Sequence, residues 1–103
     1  MEQVEIDFTK KNTLNEIFIQ NMLSGAIKLI LGSLFGNSFV PVSIKGSKSD
    51  VSSFVNTISK EKKYIDAFNR LGLNNPRTRF SKNNLEKAIK EFESTTGIKW
   101  PLK

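Results

Sequence analysis

The chain has 103 residues, 38% hydrophobic and 25% charged, which is enough for one domain with a packed core. Sixteen Lys and Arg stand against ten Asp and Glu, a net charge of +6, and there is no Cys and no His. That composition excludes disulfides, thiol nucleophiles, Cys/His zinc sites and every catalytic triad built on imidazole.

The charge is lopsided. Residues 1–44 carry three Lys and four acids, net −1, whereas residues 45–103 carry thirteen Lys and Arg and six acids, net +7. The basic part directs attention to anionic partners such as nucleic acid, an acidic protein surface or lipid headgroups. The start, MEQVEIDF, is acidic and alternating, unlike the basic start and apolar run of an export signal, so an intracellular location is expected.

Val4, Ile6 and Phe8 alternate with Gln3, Glu5 and Asp7, which predicts a half-buried strand over 3–8. Thr13-Leu14-Asn15-Glu16 is a capping box and predicts a helix start. From Ile17 to Pro41 the only charge is Lys28, and apolar positions run most of the way round, so the helix is expected to be buried. Gly25 and Gly32 are expected to bend or end it. Gln20, Asn21, Ser24, Gly25 and Lys28 break the apolar run, so no membrane span is expected. Gly32-x-x-x-Gly36 fits either a close backbone approach or a frayed helix end.

Gly36-Asn37-Ser38 has turn chemistry, and Phe39 to Lys45 predicts a second strand that Pro41 places at an edge or at the strand start. The two strands can pair in either direction, and the intervening helix allows a parallel crossover. Ser47 with Asp50 opens a long helix that runs to about Leu71, with Phe54, Ile58, Ile65 and Phe68 on one face and Gly72 as its stop. Leu73 to Arg79 reads as a loop, because Asn75 before Pro76 starts a turn. Ser81 then caps a last helix, with Phe80 stapled onto Leu85 and a stripe of Leu85, Ala88, Ile89 and Phe92. Gly97 stops it, and Ile98, Trp100 and Leu102 alternate as a docked tail would. Trp100 is expected to cover a core edge, although an exposed Trp could also stack on a base. The sum is a compact α+β domain spanning 1–103, three helices with two short strands in the order β-α-β-α-α.

Two groups of cations are candidates for binding. Lys60, Lys63 and Arg70 lie at about 0°, 300° and 280° on the long helix, opposite its apolar face, and could follow phosphates. The competing reading is a solvated helix face, with Glu61 and Asp66 as its acidic companions. Arg77 and Arg79, on the expected loop, offer guanidinium forks suited to phosphate or carboxylate; capping a helix end and pairing with an acid is the alternative. On the last helix, Glu86–Lys90 and Lys87–Glu91 are neutral i,i+4 pairs. No P-loop, Rossmann glycine set or carboxylate metal loop is present, so no catalytic residue, metal, cofactor or small-molecule substrate is expected.

Glu61-Lys62-Lys63-Tyr64, Gly72-Leu73-Asn74-Asn75-Pro76-Arg77-Thr78, Ser81-Lys82, Leu85, Phe92-Glu93 and Thr96-Gly97-Ile98-Lys99-Trp100-Pro101 together resemble the C-terminal part of small uncharacterised accessory proteins of large tailed bacteriophages. The resemblance covers the C-terminal half of the chain. It implies a setting, the infected bacterial cytoplasm or the virion, and assigns no activity and no site residues. The expected function is non-enzymatic binding to nucleic acid or a nucleic-acid-bound machine through Lys60, Lys63, Arg70, Arg77 and Arg79. The alternative is a structural or self-associating assembly protein that uses the apolar 17–35 segment and an edge strand, a possible homo-oligomer.

Overall fold

The computed structural model describes residues 4–10, 16–35 and 42–102. Its elements are β1 (Val4–Asp7), α1 (Glu16–Phe35), β2 (Val42–Lys45), α2 (Lys48–Leu71) and α3 (Pro76–Thr96), with one 3-10 turn at Phe8–Lys10 after β1. This is the expected α+β order of three helices and two short strands. Residues 13–15 of the capping box and the turn and strand start at 36–41 lie outside the described residues.

β1 and β2 pair in parallel, with Val4 opposite Val42 and Asp7 opposite Lys45. β1 is shorter than the alternating pattern because Asp7 accepts the Thr9 backbone N–H at 2.9 Å, a local turn that competes with the ladder. Phe8 still faces inward from that turn and is buried beside Ile6.

α1 runs unbroken through Gly25 and Gly32. Over 21–33 its burial is one-sided rather than all-round: Leu23, Ala26 and Ile27 are buried, whereas Gly25, Lys28, Leu29 and Gly32 are exposed. The spacing of three and one puts the buried residues on a single face, and half-buried Met22, Ile30 and Leu31 widen that stripe without closing it. No helix among the described residues is long and apolar enough to cross a membrane.

The core is a ring cluster. Phe8, Phe54, Phe92 and Trp100 meet with centroids 5.1–6.2 Å apart, the tightest pair being Phe92 and Trp100, nearly perpendicular at 80°. Tilted and edge-on rings at these separations suit the aromatic quadrupole. Ile6, Leu23, Ile27, Ile58, Leu85, Ile89 and Ile98 close around the rings. Trp100 therefore covers the core, as one of the two sequence readings has it. The tail is held by the Trp100 backbone N–H donating to Glu93 Oε2 at 2.9 Å.

α2 and α3 form an antiparallel hairpin. Thr57 Oγ1 donates to the Ala88 carbonyl at 3.2 Å, and Thr78 Oγ1 donates to the Ala67 carbonyl at 3.3 Å. Both bonds fall on one antiparallel register. Small side chains at these crossings let the two backbones approach. The core cluster reaches along α2 only as far as Tyr64, so the distal part of the hairpin, from about 66 to 80, stands clear of it.

Candidate functional site

The hairpin is built by its caps. Ser47 Oγ accepts the Asp50 N–H at 3.1 Å and opens α2. Gly72, at φ 82°, closes α2 by donating its N–H to the Phe68 carbonyl at 3.0 Å, a conformation an L side chain resists. Both match the sequence expectation.

The start of α3 does not. Residues 76–79 are the first helical turn rather than a loop. Asn75 is the cap: its side-chain oxygen accepts the Arg77 N–H at 2.9 Å, and Pro76 occupies the first helical position. Proline fits there because its missing N–H would have no helical partner and its φ is already helical. The rule that bars helix before proline applies to Asn75, at ψ 137°, and not to Pro76 itself. Ser81 is thus interior to α3, and Phe80 is 67% exposed instead of stapled onto Leu85.

This correction separates the two arginines. Residues two apart on a helix differ by about 200° in direction. Thr57 and Ala67 mark the α3-facing side of α2, and Thr78 and Ala88 mark the α2-facing side of α3. From those references Lys63 and Arg70 turn to one flank of α2, Glu61, Ile65 and Phe68 turn to the other, and Lys60 falls between Thr57 and Ala67, on the seam. On α3, Arg77 turns one way and Arg79 and Lys82 the other. Glu61 and Ile65 share a cleft with Lys82 and Glu86, which fixes how the flanks match across the hairpin. One flank then carries Lys63, Arg70 and Arg77, with Lys60 at its seam edge, and the opposite flank carries the cleft, with Arg79 beside it in a smaller hollow of about 250 Å³ next to Tyr64, Asn74 and Lys82.

On the basic flank, Lys63, Arg70 and Arg77 are exposed. Lys60 is half-buried, at the edge of the α2–α3 seam rather than opposite the buried face, because α3 crosses α2 on the side of Thr57 and Ala67. Arg70 pairs with Asp66 at 3.6 Å, an exposed i,i+4 contact worth well under about 1 kcal/mol. Among the described residues Lys60, Lys63 and Arg77 make no ion pair. The stretch from Ala67 to Leu85 contains Arg70, Arg77, Arg79 and Lys82 and no acid. Phe80 stands one turn from Arg77 on the same side of α3.

The opposite flank holds a residue that sequence reasoning placed in solvent. Glu61 is only 5% exposed. It lines a cleft of about 560 Å³ whose apolar walls are Ile65, Leu85, Ile89 and Leu102, with Tyr64 beside it and Lys82, Glu86 and Lys90 at the mouth. Burial pushes the Glu61 carboxyl above its ordinary value of 4.5, and the nearby Trp100 indole N–H opposes part of that rise. The indole Nε1 is itself buried with no acceptor in full hydrogen-bonding geometry. The signal for Glu61 was present in the sequence: at about 100° it falls inside the arc of Phe54, Ile58, Ile65 and Phe68.

No group of acids placed to hold a metal ion occurs among the described residues. No family model, curated protein or solved structure matches the chain.

Proposed function

We propose that this chain is a non-enzymatic nucleic-acid-binding module that engages the phosphate backbone through the flank of Lys63, Arg70 and Arg77, with Lys60 at its seam edge. The observation that carries the reading is the gathering of three exposed cations on one side of the hairpin, of which only Arg70 has an ion pair among the described residues. Lys60 to Arg70 spans about 15 Å of helix axis, enough to follow more than one phosphate. Exposed Phe80 beside Arg77 adds a ring on which a base of a single strand can stack. The role assigned to these cations is charge and fork hydrogen bonding to phosphate, so the binding is backbone-directed and weakly selective for sequence. Arg79, on the other flank, belongs to a different surface. A phage-infected cell or a virion, the setting of the resemblance, would offer such a partner.

The test is anisotropy of labelled single-stranded DNA, duplex DNA and RNA titrated with the protein across a salt series. Binding at low salt should weaken steeply as salt rises, and Lys63→Ala with Arg70→Ala and Arg77→Ala should abolish it while the fold persists. Absence of binding at low ionic strength, or binding indifferent to the triple variant, overturns the proposal in favour of an acidic protein partner or of assembly.

A second reading, self-assembly, draws on the two-stranded sheet, which leaves one edge of each strand unpaired among the described residues. Sedimentation over a concentration series separates the two.

A further inference from the structure

The cleft around Glu61 is independent of the basic flank and faces away from it. Three features are unusual together. Glu61, a residue only 5% exposed, has no ion pair among the described residues, although Lys82 and Lys90 stand at the mouth of the same cleft. The walls are branched aliphatic side chains, with Leu102 of the docked tail completing them. The volume, about 560 Å³, falls within the span of sites that hold small organic molecules.

A structural role explains this poorly. A leucine or methionine at position 61 would fill the same face of α2 without burying a charge, and a buried acid that only fills space is a net cost. The nearby Trp100 indole N–H opposes part of that cost without completing a hydrogen bond. A charged donor reaching the carboxyl from the cleft would offset the rest.

We propose that the cleft binds a small amphipathic amine, its ammonium group donating to the Glu61 carboxylate and its apolar body resting on Ile65, Leu85, Ile89 and Leu102. The charges at the mouth do not favour an anion instead. Lys82, Lys90 and Glu86 are exposed, so water and salt screen them, and the acid offsets one of the two lysines. Glu61 sits deeper, where a charge pair is stronger by several-fold than at the surface. Tyr64, half-buried at the wall, provides a ring face for the cation and a hydroxyl for a second polar contact.

The experiment uses three probes with one body: 4-phenylbutylamine, 4-phenylbutanol and 4-phenylbutyrate, at pH 8. Binding is read by Trp100, the only tryptophan, through its fluorescence, and by methyl shifts of Ile65, Leu85, Ile89 and Leu102 in a ¹³C-methyl NMR titration. The amine should bind saturably and about tenfold or more tightly than the alcohol or the acid, as a charge-assisted bond predicts. Glu61→Gln should erase that preference while the thermal melt shows a folded protein, and Lys82→Gln with Lys90→Gln should leave it intact. Equal binding of the three probes, tighter binding of the butyrate, absence of saturable binding, or a preference that survives Glu61→Gln would each overturn the proposal. The comparison among probes on the unmodified chain decides the matter even if a variant fails to fold.

Discussion

The Thr57 hydroxyl sits between two helices, 2.7 Å from the Ser53 carbonyl of its own helix and 3.2 Å from the Ala88 carbonyl of α3. Thr57 is fully buried, and Ala88 opposite it is small. The hairpin therefore meets here backbone to backbone, with one hydroxyl bridging. Thr57→Val keeps the shape and removes the donor, so it should cost about 1 kcal/mol. Thr57→Leu forces the helices apart and should cost about 1–3 kcal/mol. Urea denaturation gives both numbers; a neutral leucine would mean that the helices are not in close contact at this point.

Glu61 makes stability depend on pH. Its folded pKa is raised by burial, so over the range between 4.5 and that raised value the folded chain binds more protons than the unfolded one. Its contribution is fully present below 4.5 and is lost as pH rises through the folded pKa. The groups that face it are Tyr64 on α2, Lys82, Glu86 and Lys90 on α3, and the Trp100 N–H of the tail. Glu61→Gln should remove this slope and stabilise the protein above the window by on the order of 1 kcal/mol, the cost of a poorly satisfied buried group. Melts from pH 4 to pH 8 on both proteins check it, and parallel curves would show that Glu61 is not the source.

The elements that sequence reasoning located are those whose signals are local. Ser47, Gly72 and Gly97 mark helix ends through bonds to their own neighbours, and their roles hold. The start of α3 was missed because one proline has two local meanings, turn opener and first helical residue. The side chain of Asn75, which chooses between them, acts only once the turn has formed. Lys60 and Phe68 were misplaced for a different reason. A helical wheel for α2 alone centres on its most apolar arc, near Phe54 and Ile58. The partner helix covers the side of Thr57, Tyr64 and Ala67 instead, because short residues permit the crossing. Phe68 is left 45% exposed, its ring against Tyr64 at 6.4 Å, while Lys60 is drawn half under cover. Of the five proposed contact residues, the helix phase assembles Lys63, Arg70 and Arg77, leaves Lys60 at the seam and separates Arg79.

Trp100 joins the tail to the rings of Phe54 and Phe92. Trp100→Ala should cost about 3–5 kcal/mol, the usual loss for a large buried ring. Trp100→Phe should cost much less, because it retains a ring against Phe92 and removes an indole N–H that has no full partner. It also removes the group that holds the Glu61 pKa down, so the pH window of the preceding prediction should extend upward in this variant. Unfolding curves at several pH values report both effects. Equal losses for alanine and phenylalanine would place the energetic weight of Trp100 in its N–H rather than in its ring.

Arg77 and Arg79 look equivalent in sequence and differ by flank in the fold. Arg77 shares its side of the hairpin with Lys63 and Arg70, whereas Arg79 lies beside Lys82 and Tyr64. If the basic flank carries nucleic acid, Arg77→Ala should lower the slope of log affinity against log salt by about one, the share of a single phosphate contact. Arg79→Ala should leave that slope almost unchanged. Both residues are exposed and neither forms an ion pair among the described residues, so neither substitution should move the melting midpoint appreciably. The pair is therefore a control for net charge: each variant loses one positive unit, and only position differs. A slope change that follows Arg79 instead would move the contact surface to the cleft side of the hairpin, and equal changes would reduce the effect to overall charge with no defined surface at all.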